Sequence, residues 1–397
     1  MRFSRLNEEI HQSYFVVAMA IGVIAGVIIA LVFKVNYFAS PLWIIFATML
    51  LLIAYLKPRL VFFAVALLAG MVLAFFRCTA ELSSQQTNGD KNPEENLVLS
   101  ARDWFAGRIE GLIPEPEVKL GLSYLLGMRS GLPDELNEDL KTVGLVHIVV
   151  ASGAHLAILV EIARKICGKV SRLFGIVCSI GFILFFMCMV GWTPSIMRAG
   201  IMTILTLIAW YYGRKIEPWR IILLVMAATL MISPSYITNL GWLLSFASYG
   251  GIMILGPKLT TTFYGKKKPG FVAATIITTL SATLMTLPIT LYYFGQISLI
   301  SVVANLLILP TLPLAMGLVF TAGVVAGIPG LEIVAAWCAK QILDYHITVV
   351  GWFGGMRTFL VEMPRYQWWV YLMYIPIVAF MIGGLIRRKV VKLREAR

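Results

Sequence analysis

Residues 173–192 read LFGIVCSIGFILFFMCMVGW, a stretch of twenty residues without a charged side chain. The next stretch, PSIMRAGIMTILTLIAWYY at 194–212, holds one charge, Arg198. A helix needs about 20 mostly apolar residues to cross the hydrocarbon core of a bilayer. The two stretches therefore predict consecutive transmembrane helices.

The same pattern extends over most of the chain. Of the 397 residues, 59% are hydrophobic and 13% are charged, whereas about a quarter of the residues of a soluble domain are charged. This composition excludes an ordinary soluble domain. We expect an all-α, polytopic transmembrane helical bundle with about 10 to 12 membrane segments, broken helices and amphipathic interfacial helices. Further apolar runs occur at 15–33, 41–56, 60–76, 143–161, 221–233, 240–256, 271–289, 299–311, 312–328 and 368–386.

The positive charges are distributed unevenly between the predicted loops. Threading the apolar runs from an inside N-terminus places 21 of the 33 Lys and Arg residues on the inner side. The short outer loops keep only Lys34, Lys340, Arg357 and Arg365. The positive-inside rule therefore predicts that both termini lie in the cytoplasm. The net charge of +13 reflects topology first, and membrane lipid headgroups are the expected contact of the basic tail.

One polar segment interrupts the apolar pattern, from Arg77 to about Gly144. It holds 12 Asp and Glu against 7 Lys and Arg, and the same threading places it outside. Apolar residues recur every three or four positions over 97–112 and 332–350, which predicts amphipathic helices there. We therefore divide the chain into N-terminal transmembrane helices at 1–76, an extracytoplasmic linker with amphipathic helices at 77–142 and a transmembrane core at 143–397.

Residues 144–156 read GLVHIVVASGAHL, which places two histidines, a serine and a glycine in one apolar run. His147 and His155 are eight residues apart, unlike the i,i+4 pair of a helical zinc site, so no metal site or cofactor is predicted. The residues around Ser152 do not form G-x-S-x-G, and no acid nearby would orient His155. Two interpretations stay open. Ser152 and Gly153 break a helix that lines a polar path, or the histidines bond to neighbouring helices.

Arg198 lies less than two turns into its apolar stretch. A guanidinium there needs an anion, a cluster of carbonyl groups or water. The nearby membrane segments offer carboxylates only at their predicted ends, so a bound phosphate is a candidate partner. The alternative is a side chain that reaches the outer headgroups. Charged groups inside such segments mostly face the bundle interior, which favours a functional role.

Residues 286–298 read TLPITLYYFGQIS. Tyr292 and Tyr293 at an outer boundary are typical of an interfacial aromatic belt, and tyrosines are also used to stack nucleic-acid bases. Interrupted helices are indicated by three prolines in this region: Pro288, Pro310 and Pro313.

These stretches together resemble the ComEC competence family, the inner-membrane channel for DNA uptake in bacterial transformation. The family pattern G-L-x-H-L-x-A-x-S-G-x-H is matched within 144–155 at Gly144, Leu145, His147, Ser152, Gly153 and His155. The pattern P-S-x-x-R-A-x-x-M is matched over 194–202. Residues 126–132 (LGMRSGL) and 240–246 (LGWLLSF) resemble two further motifs, the second with tryptophan for phenylalanine. The likeness continues in order at Thr286, Leu287, Pro288, Phe294, Gly295, Asn305 and Pro310.

The resemblance implies a competence-type channel core at 143–397 that conducts single-stranded DNA. We expect its DNA path to include His147, Ser152, Gly153, His155, Ser195, Arg198, Ser245, Gln296 and Asn305. The chain shows no nuclease or ATPase motif, so it is not expected to be an enzyme. Two alternatives are kept: a transporter of another phosphate-bearing anion, and an intramembrane hydrolase using Ser152 and His155.

The sequence also departs from the family pattern. Full-length members carry an OB-like domain and a metallo-β-lactamase-type nuclease domain, whereas the polar segment here is short and reads as helical. We therefore expect a minimal competence core. The implied partners are single-stranded DNA and a separate DNA receptor, nuclease and cytoplasmic ATP-driven translocase. The acidic outer segment favours capture of DNA by a partner, because DNA binding relies on Lys and Arg.

Overall fold

A computed structural model describes residues 12–32, 61–85, 93–128, 131–149, 153–169, 171–191, 193–213, 217–265, 267–356 and 360–376. These residues are almost entirely helical, which confirms the all-α prediction. The helices are α1 (Gln12–Val32), α2 (Val61–Gln85), α3 (Pro93–Glu110), α4 (Glu117–Leu126), α5 (Asp134–Val143), α6 (Val146–Val149), α7 (Gly153–Cys167), α8 (Arg172–Val190), α9 (Pro194–Tyr211), α10 (Pro218–Ile232), α11 (Leu240–Gly250), α12 (Gly256–Tyr264), α13 (Phe271–Phe294), α14 (Ser301–Ile308), α15 (Leu312–Val325) and α16 (Leu331–Gly354).

Short irregular elements complete the described chain. A π-helical turn, Gly251–Leu255, joins α11 to α12. The 3-10 helices are Pro234–Thr238 and Trp368–Met373. The strands β1 (Gln296–Ser298) and β2 (Leu360–Glu362) form an antiparallel pair in which Gln296 lies opposite Glu362.

Four of the described helical segments are long and apolar enough to cross a membrane: α8, α9, the continuous segment Leu240–Tyr264 and α13. The pair α14 and α15, bent by 48°, adds a fifth if it counts as one span. Shorter apolar helices occur at Phe15–Leu31, Val65–Cys78 and Pro218–Ile232. The polytopic membrane bundle is thus confirmed. The number of 10 to 12 segments stays a prediction, because the run at 41–56 and most of the run at 368–386 lie outside the described residues.

By their contacts the described helices fall into two compact units, the first from residues 1–91 with 201–246 and the second from 92–200 with 247–397. The predicted three-part division of the chain stays a prediction. In the first unit, α1 packs closely along α2. A Cβ atom placed on Gly22 would lie 2.1 Å from the carbonyl oxygen of Leu67, and one placed on Gly70 would lie 2.2 Å from that of Met19. The two backbones are therefore in direct contact, as small residues permit between membrane helices.

Arg77 connects α2 to the end of α10 within the first unit. Its Nε donates to the carbonyl oxygen of Met231 at 2.9 Å, and its Nη2 donates to that of Ile232. The last carbonyl groups of a helix lack partners within the helix and carry a partial negative charge. The guanidinium of Arg77 supplies both hydrogen-bond donors and a positive charge at the C-terminus of α10.

The second unit is built around an apolar core shared by α3–α6 and α14–α16. The amphipathic helix predicted at 97–112 corresponds to α3 and the turn that follows it. Its residue Ile109 is fully buried, and the ring of Phe105 lies 5.9 Å from that of Phe320 on α15. Trp104, by contrast, is 62% exposed. Part of the apolar face of α3 is therefore covered by protein.

Candidate functional site

Arg198 is buried inside the second unit. It lies in the second turn of α9, one of the candidate spans, and its side chain is only 7% exposed. The guanidinium carbon lies 5.5 Å from the ring centroid of Tyr249 on α11, a cation–π arrangement. This burial favours the protein interior over the outer headgroups as the surroundings of Arg198.

The helix break predicted near Ser152 adjoins this arginine. α6 ends at Val149 and α7 begins at Gly153, while residues 150–152, including Ser152, lie outside the described residues. A Cβ atom on Gly153 would lie 3.3 Å from Nη2 of Arg198, and equally close to Cβ of Ala199. A side chain at position 153 would therefore press against the guanidinium and Ala199, so glycine favours this close approach of α7 to Arg198.

The two histidines of the motif lie on either side of the break. His155, two residues into α7, is completely buried, and it takes part in polar or ring contacts within the protein. His147 belongs to α6, and its side chain lies outside the described residues. For His147 and His155, both interpretations therefore remain: they line a polar path, or they bond to neighbouring helices.

A second polar site lies at the other end of the same motif. Gly144 has a φ of 78°, and a Cβ atom there would lie 3.0 Å from Cβ of Ser301 and 3.4 Å from Cβ of Ser298. Asn305 follows Ser301 by one turn of α14 and is 4% exposed. Within the described residues, Oδ1 of Asn305 and Oγ of Ser298 are buried without a hydrogen-bond partner. Such atoms cost free energy unless a polar group or water satisfies them.

Three predicted path residues lie elsewhere. Ser195, half-buried in the first turn of α9, precedes Arg198 by three residues and so shares its helix face. Gln296 is half-buried in β1. Ser245 is half-buried on the part of α11 that belongs to the first unit, four residues before Tyr249. The structure thus brings Gly153 and Arg198 together, and it places Ser301, one turn before Asn305 on α14, against Gly144 at the start of the histidine motif.

The tryptophan that replaces phenylalanine in LGWLLSF has a specific environment in the first unit. Trp242 is 2% exposed, and its indole N–H donates to Oγ1 of Thr229 at 3.0 Å. A buried indole N–H needs such an acceptor, and Thr229 on α10 supplies it.

Sequence reasoning did not identify Tyr249 or His346. Tyr249 lies within an apolar run that shows no anomaly. His346 on α16 is completely buried, and its Nε2 lies 2.8 Å from Oγ1 of Thr311 at the bend between α14 and α15. The hydroxyl of Tyr345 contacts the carbonyl oxygen of Leu307 in the same bend at 3.4 Å. Pro310 indicates that this bend needs polar partners, but the sequence does not indicate which residues supply them.

His346 should make the stability of the protein depend on pH. Burial lowers its pKa to about 4, from an ordinary value near 6.5, and α16 is not among the candidate spans. Between these pH values the unfolded chain binds a proton at this site and the folded chain does not, so stability is lost as the pH falls from 6.5 towards 4. We expect a loss of roughly 2 kcal/mol at pH 5 relative to pH 7.

The measurement is thermal unfolding of the detergent-purified protein at both pH values, compared with His346→Gln, which keeps a polar group beside Thr311. The variant should lack this part of the pH dependence, while the contribution of the carboxylates is common to both proteins. An identical pH dependence in the two proteins would contradict the prediction.

Comparison with known proteins indicates the family to which this chain is related. The sequence model described as "Competence protein" matches residues 124–389. ComE operon protein 3 of Bacillus subtilis (strain 168) is 25% identical over 273 residues, which cover 67% of this chain and 33% of that protein. The uncharacterized protein YcaI of Escherichia coli (strain K12) is 25% identical over 245 residues, or 55% of this chain and 30% of that protein.

The chain spans about a third of the length of these curated relatives. No solved structure matches it significantly. The family match includes the histidine motif, Arg198, Tyr249 and Asn305, and it extends over more than half of the chain. The chain therefore belongs to the Competence protein family.

Proposed function

We propose that this protein is a membrane channel through which single-stranded DNA is taken up across the cytoplasmic membrane during natural transformation. The observation that carries the proposal is the burial of Arg198 within a candidate span, against Tyr249 and Gly153. Membership of the Competence protein family supports the connection to DNA uptake.

The chemistry of Arg198 suits a phosphate backbone. A guanidinium presents its donors in a planar fork that matches two phosphate oxygens, and its charge is retained at any physiological pH. The ring of Tyr249 lies near the guanidinium carbon and restrains its position. A side chain held in this way can contact successive phosphates with little loss of conformational entropy.

The second polar site supplies neutral groups. Oδ1 of Asn305 accepts hydrogen bonds, and the hydroxyl of Ser298 both donates and accepts. Both atoms are buried without a partner in the described residues, so bases or ordered water passing beside Gly144 would satisfy them. Ser195, Ser245 and Gln296 are proposed as further polar contacts of the path, together with His147, Ser152 and His155.

The protein would act with other components. We place both termini in the cytoplasm, and we assign DNA capture, degradation of one strand and ATP-driven pulling to separate partners rather than to this conduit. The charge distribution supports the orientation. The acidic segment before the histidine motif supports capture by a partner.

The test is deletion of the family member from a transformable strain and complementation with this chain. Deletion should remove nearly all DNase-resistant labelled DNA, while DNA bound at the cell surface remains, and complementation should restore the resistant label. Undiminished internalisation after deletion would contradict the proposal. Normal DNA uptake together with lost accumulation of a smaller phosphate-bearing anion would identify the alternative transporter.

A further inference from the structure

Rings from two distant segments of the second unit meet at the C-terminal end of α13. We name them the tyrosine cluster: Tyr292, Tyr293, Tyr366, Tyr371 and Tyr374. The ring centroid of Tyr292 lies 5.5 Å from that of Tyr366 and 5.1 Å from that of Tyr371. Tyr293 lies 6.5 Å from Tyr366, and Tyr371 lies 6.5 Å from Tyr374. The cluster is therefore one continuous aromatic surface.

Backbone contacts hold the later segment against the helix end. The amide of Met363 donates to the carbonyl oxygen of Gly295 at 2.7 Å, and the amide of Tyr366 donates to that of Tyr292 at 2.7 Å. Gly295 has a φ of 67°, and a Cβ atom there would lie 2.4 Å from the carbonyl oxygen of Met363. The strand pair β1–β2 also joins these two segments, with residues 296–298 paired to residues 360–362. The rings are thus positioned by the backbone.

Tyr366 is unusual within the cluster. It is the only non-glycine residue with a positive φ, 62°, in the part of the chain that the structure describes. This conformation costs about 1 kcal/mol or more, and such strain is concentrated at functional sites. Tyr366 is nevertheless 63% exposed, and Trp368 two residues later is 72% exposed. The strained backbone position therefore carries an exposed ring.

We propose that the tyrosine cluster, extended by Trp368, is a stacking surface for the bases of single-stranded DNA on the outer side of the membrane. The inference rests on the proposed function, because it names where the strand is first held. Aromatic surfaces stack any base, since every base has a π-face. Arg365, exposed beside Tyr366, adds a guanidinium for the phosphates, and its Nε donates to the carbonyl oxygen of Phe294 at 3.2 Å.

The position of the cluster fits this role. The charge distribution of the sequence places both Arg365 and the end of α13 on the outer side, and the structure joins the two by backbone hydrogen bonds. DNA would arrive from that side.

An interfacial lipid belt explains these contacts less well. A belt tyrosine needs only to place its ring at the level of the headgroups, and this role requires neither ring-to-ring contacts nor a left-handed backbone. Here Tyr292 touches two other rings of the segment 366–371, and the hydroxyl of Tyr374 donates inward, to the carbonyl oxygen of Met285 at 2.9 Å. These features favour a preformed binding surface.

The experiment uses the full chain in lipid nanodiscs and a fluorescent oligothymidylate of about 16 nucleotides, compared with an abasic strand of equal length. Tyr366→Gly removes the ring and keeps a residue that favours positive φ, so the fold is retained. We expect this variant to bind oligothymidylate about tenfold more weakly than the wild type does. Its affinity for the abasic strand should be unchanged, and Tyr366→Phe should bind oligothymidylate almost as well as the wild type. Trp337→Ala, which removes a 62% exposed ring on α16, is the matched control.

The possible outcomes separate this inference from the proposed function. If wild type and Tyr366→Gly bind oligothymidylate equally well, the stacking surface is wrong, and the channel proposal is decided by the deletion strain alone. If Tyr366→Gly binds normally but incorporates poorly into nanodiscs, the cluster is a lipid belt. If the wild type binds neither strand, the stacking surface is wrong, and the channel proposal falls as well if the deletion strain still internalises DNA.

Discussion

Replacing Arg198 by alanine should reduce DNA internalisation by up to about 100-fold. The guanidinium is the one charge in the 194–212 stretch, it is 7% exposed, and it lies against Tyr249. A hydrogen-bonded contact to a charged partner contributes up to about 3 kcal/mol, which corresponds to about 100-fold in a binding constant. The measurement is DNase-protected labelled DNA, normalised to the amount of protein in the membrane.

Two further substitutions separate the chemistry of Arg198 from a structural role. Arg198→Gln keeps much of the volume without the charge and should insert normally but remain inactive. Arg198→Lys keeps the charge without the planar fork and should retain intermediate uptake. The matched control is Arg164→Ala, because Arg164 is a surface residue paired with Glu161 at 2.9 Å. Wild-type uptake by Arg198→Ala would remove this residue from the path.

Substituting alanine for Gly22 or Gly70 should have the largest effect on stability. The added Cβ would lie 2.1 or 2.2 Å from a backbone carbonyl oxygen of the facing helix, far inside van der Waals contact. A backbone cannot move aside as a side chain can, so α1 and α2 must separate along their contact. We expect each variant to lose about 3 kcal/mol or more of stability, at the upper end of overpacking effects.

Thermal unfolding in detergent and size-exclusion profiles would measure this loss. The control is Gly181→Ala on α8, a candidate span. Apart from the adjacent residues and the backbone of its own helix turn, no atom lies within 4 Å of a Cβ added at Gly181. This variant should be neutral or slightly more stable, because alanine has the higher helix propensity. Gly22→Ala or Gly70→Ala with the stability of Gly181→Ala would show that α1 and α2 do not pack as described.

The helix starts were predictable where local chemistry specifies them. Pro133 followed by two acids predicts a helix start, and α5 indeed begins at Asp134 with Asp134 and Glu135 in its first turn. Other boundaries were less accessible. The polar residues 83–95 are typical of a disordered linker, whereas α2 continues to Gln85 and the next helix, α3, begins at Pro93.

The candidate site was predictable only in part. Arg198 and the histidine motif are anomalies in apolar runs, so hydropathy and charge identify them. The predicted path from His147 to Asn305 stays a prediction, since Ser152 and the side chain of His147 lie outside the described residues. Gly153 was predicted to break a helix, but its contact with Arg198 depends on how α7 and α9 pack.

Hydropathy and charge alone determined the membrane class and the helical architecture, and they identified Arg198 as a charge within an apolar stretch. Charged side chains and unpaired backbone groups are costly in lipid, so membrane segments are recognisable by their apolar composition and an exception such as Arg198 is conspicuous. Only the tertiary structure decided that Tyr249 faces Arg198, that Gly22 and Gly70 allow backbone contact, and that Tyr366 joins Tyr292. In a bilayer, lipid and neighbouring helices are equally apolar, so the face that packs against protein carries no distinctive periodicity. The partners of each helix therefore depend on shape and close packing, which become visible only once the chain has folded.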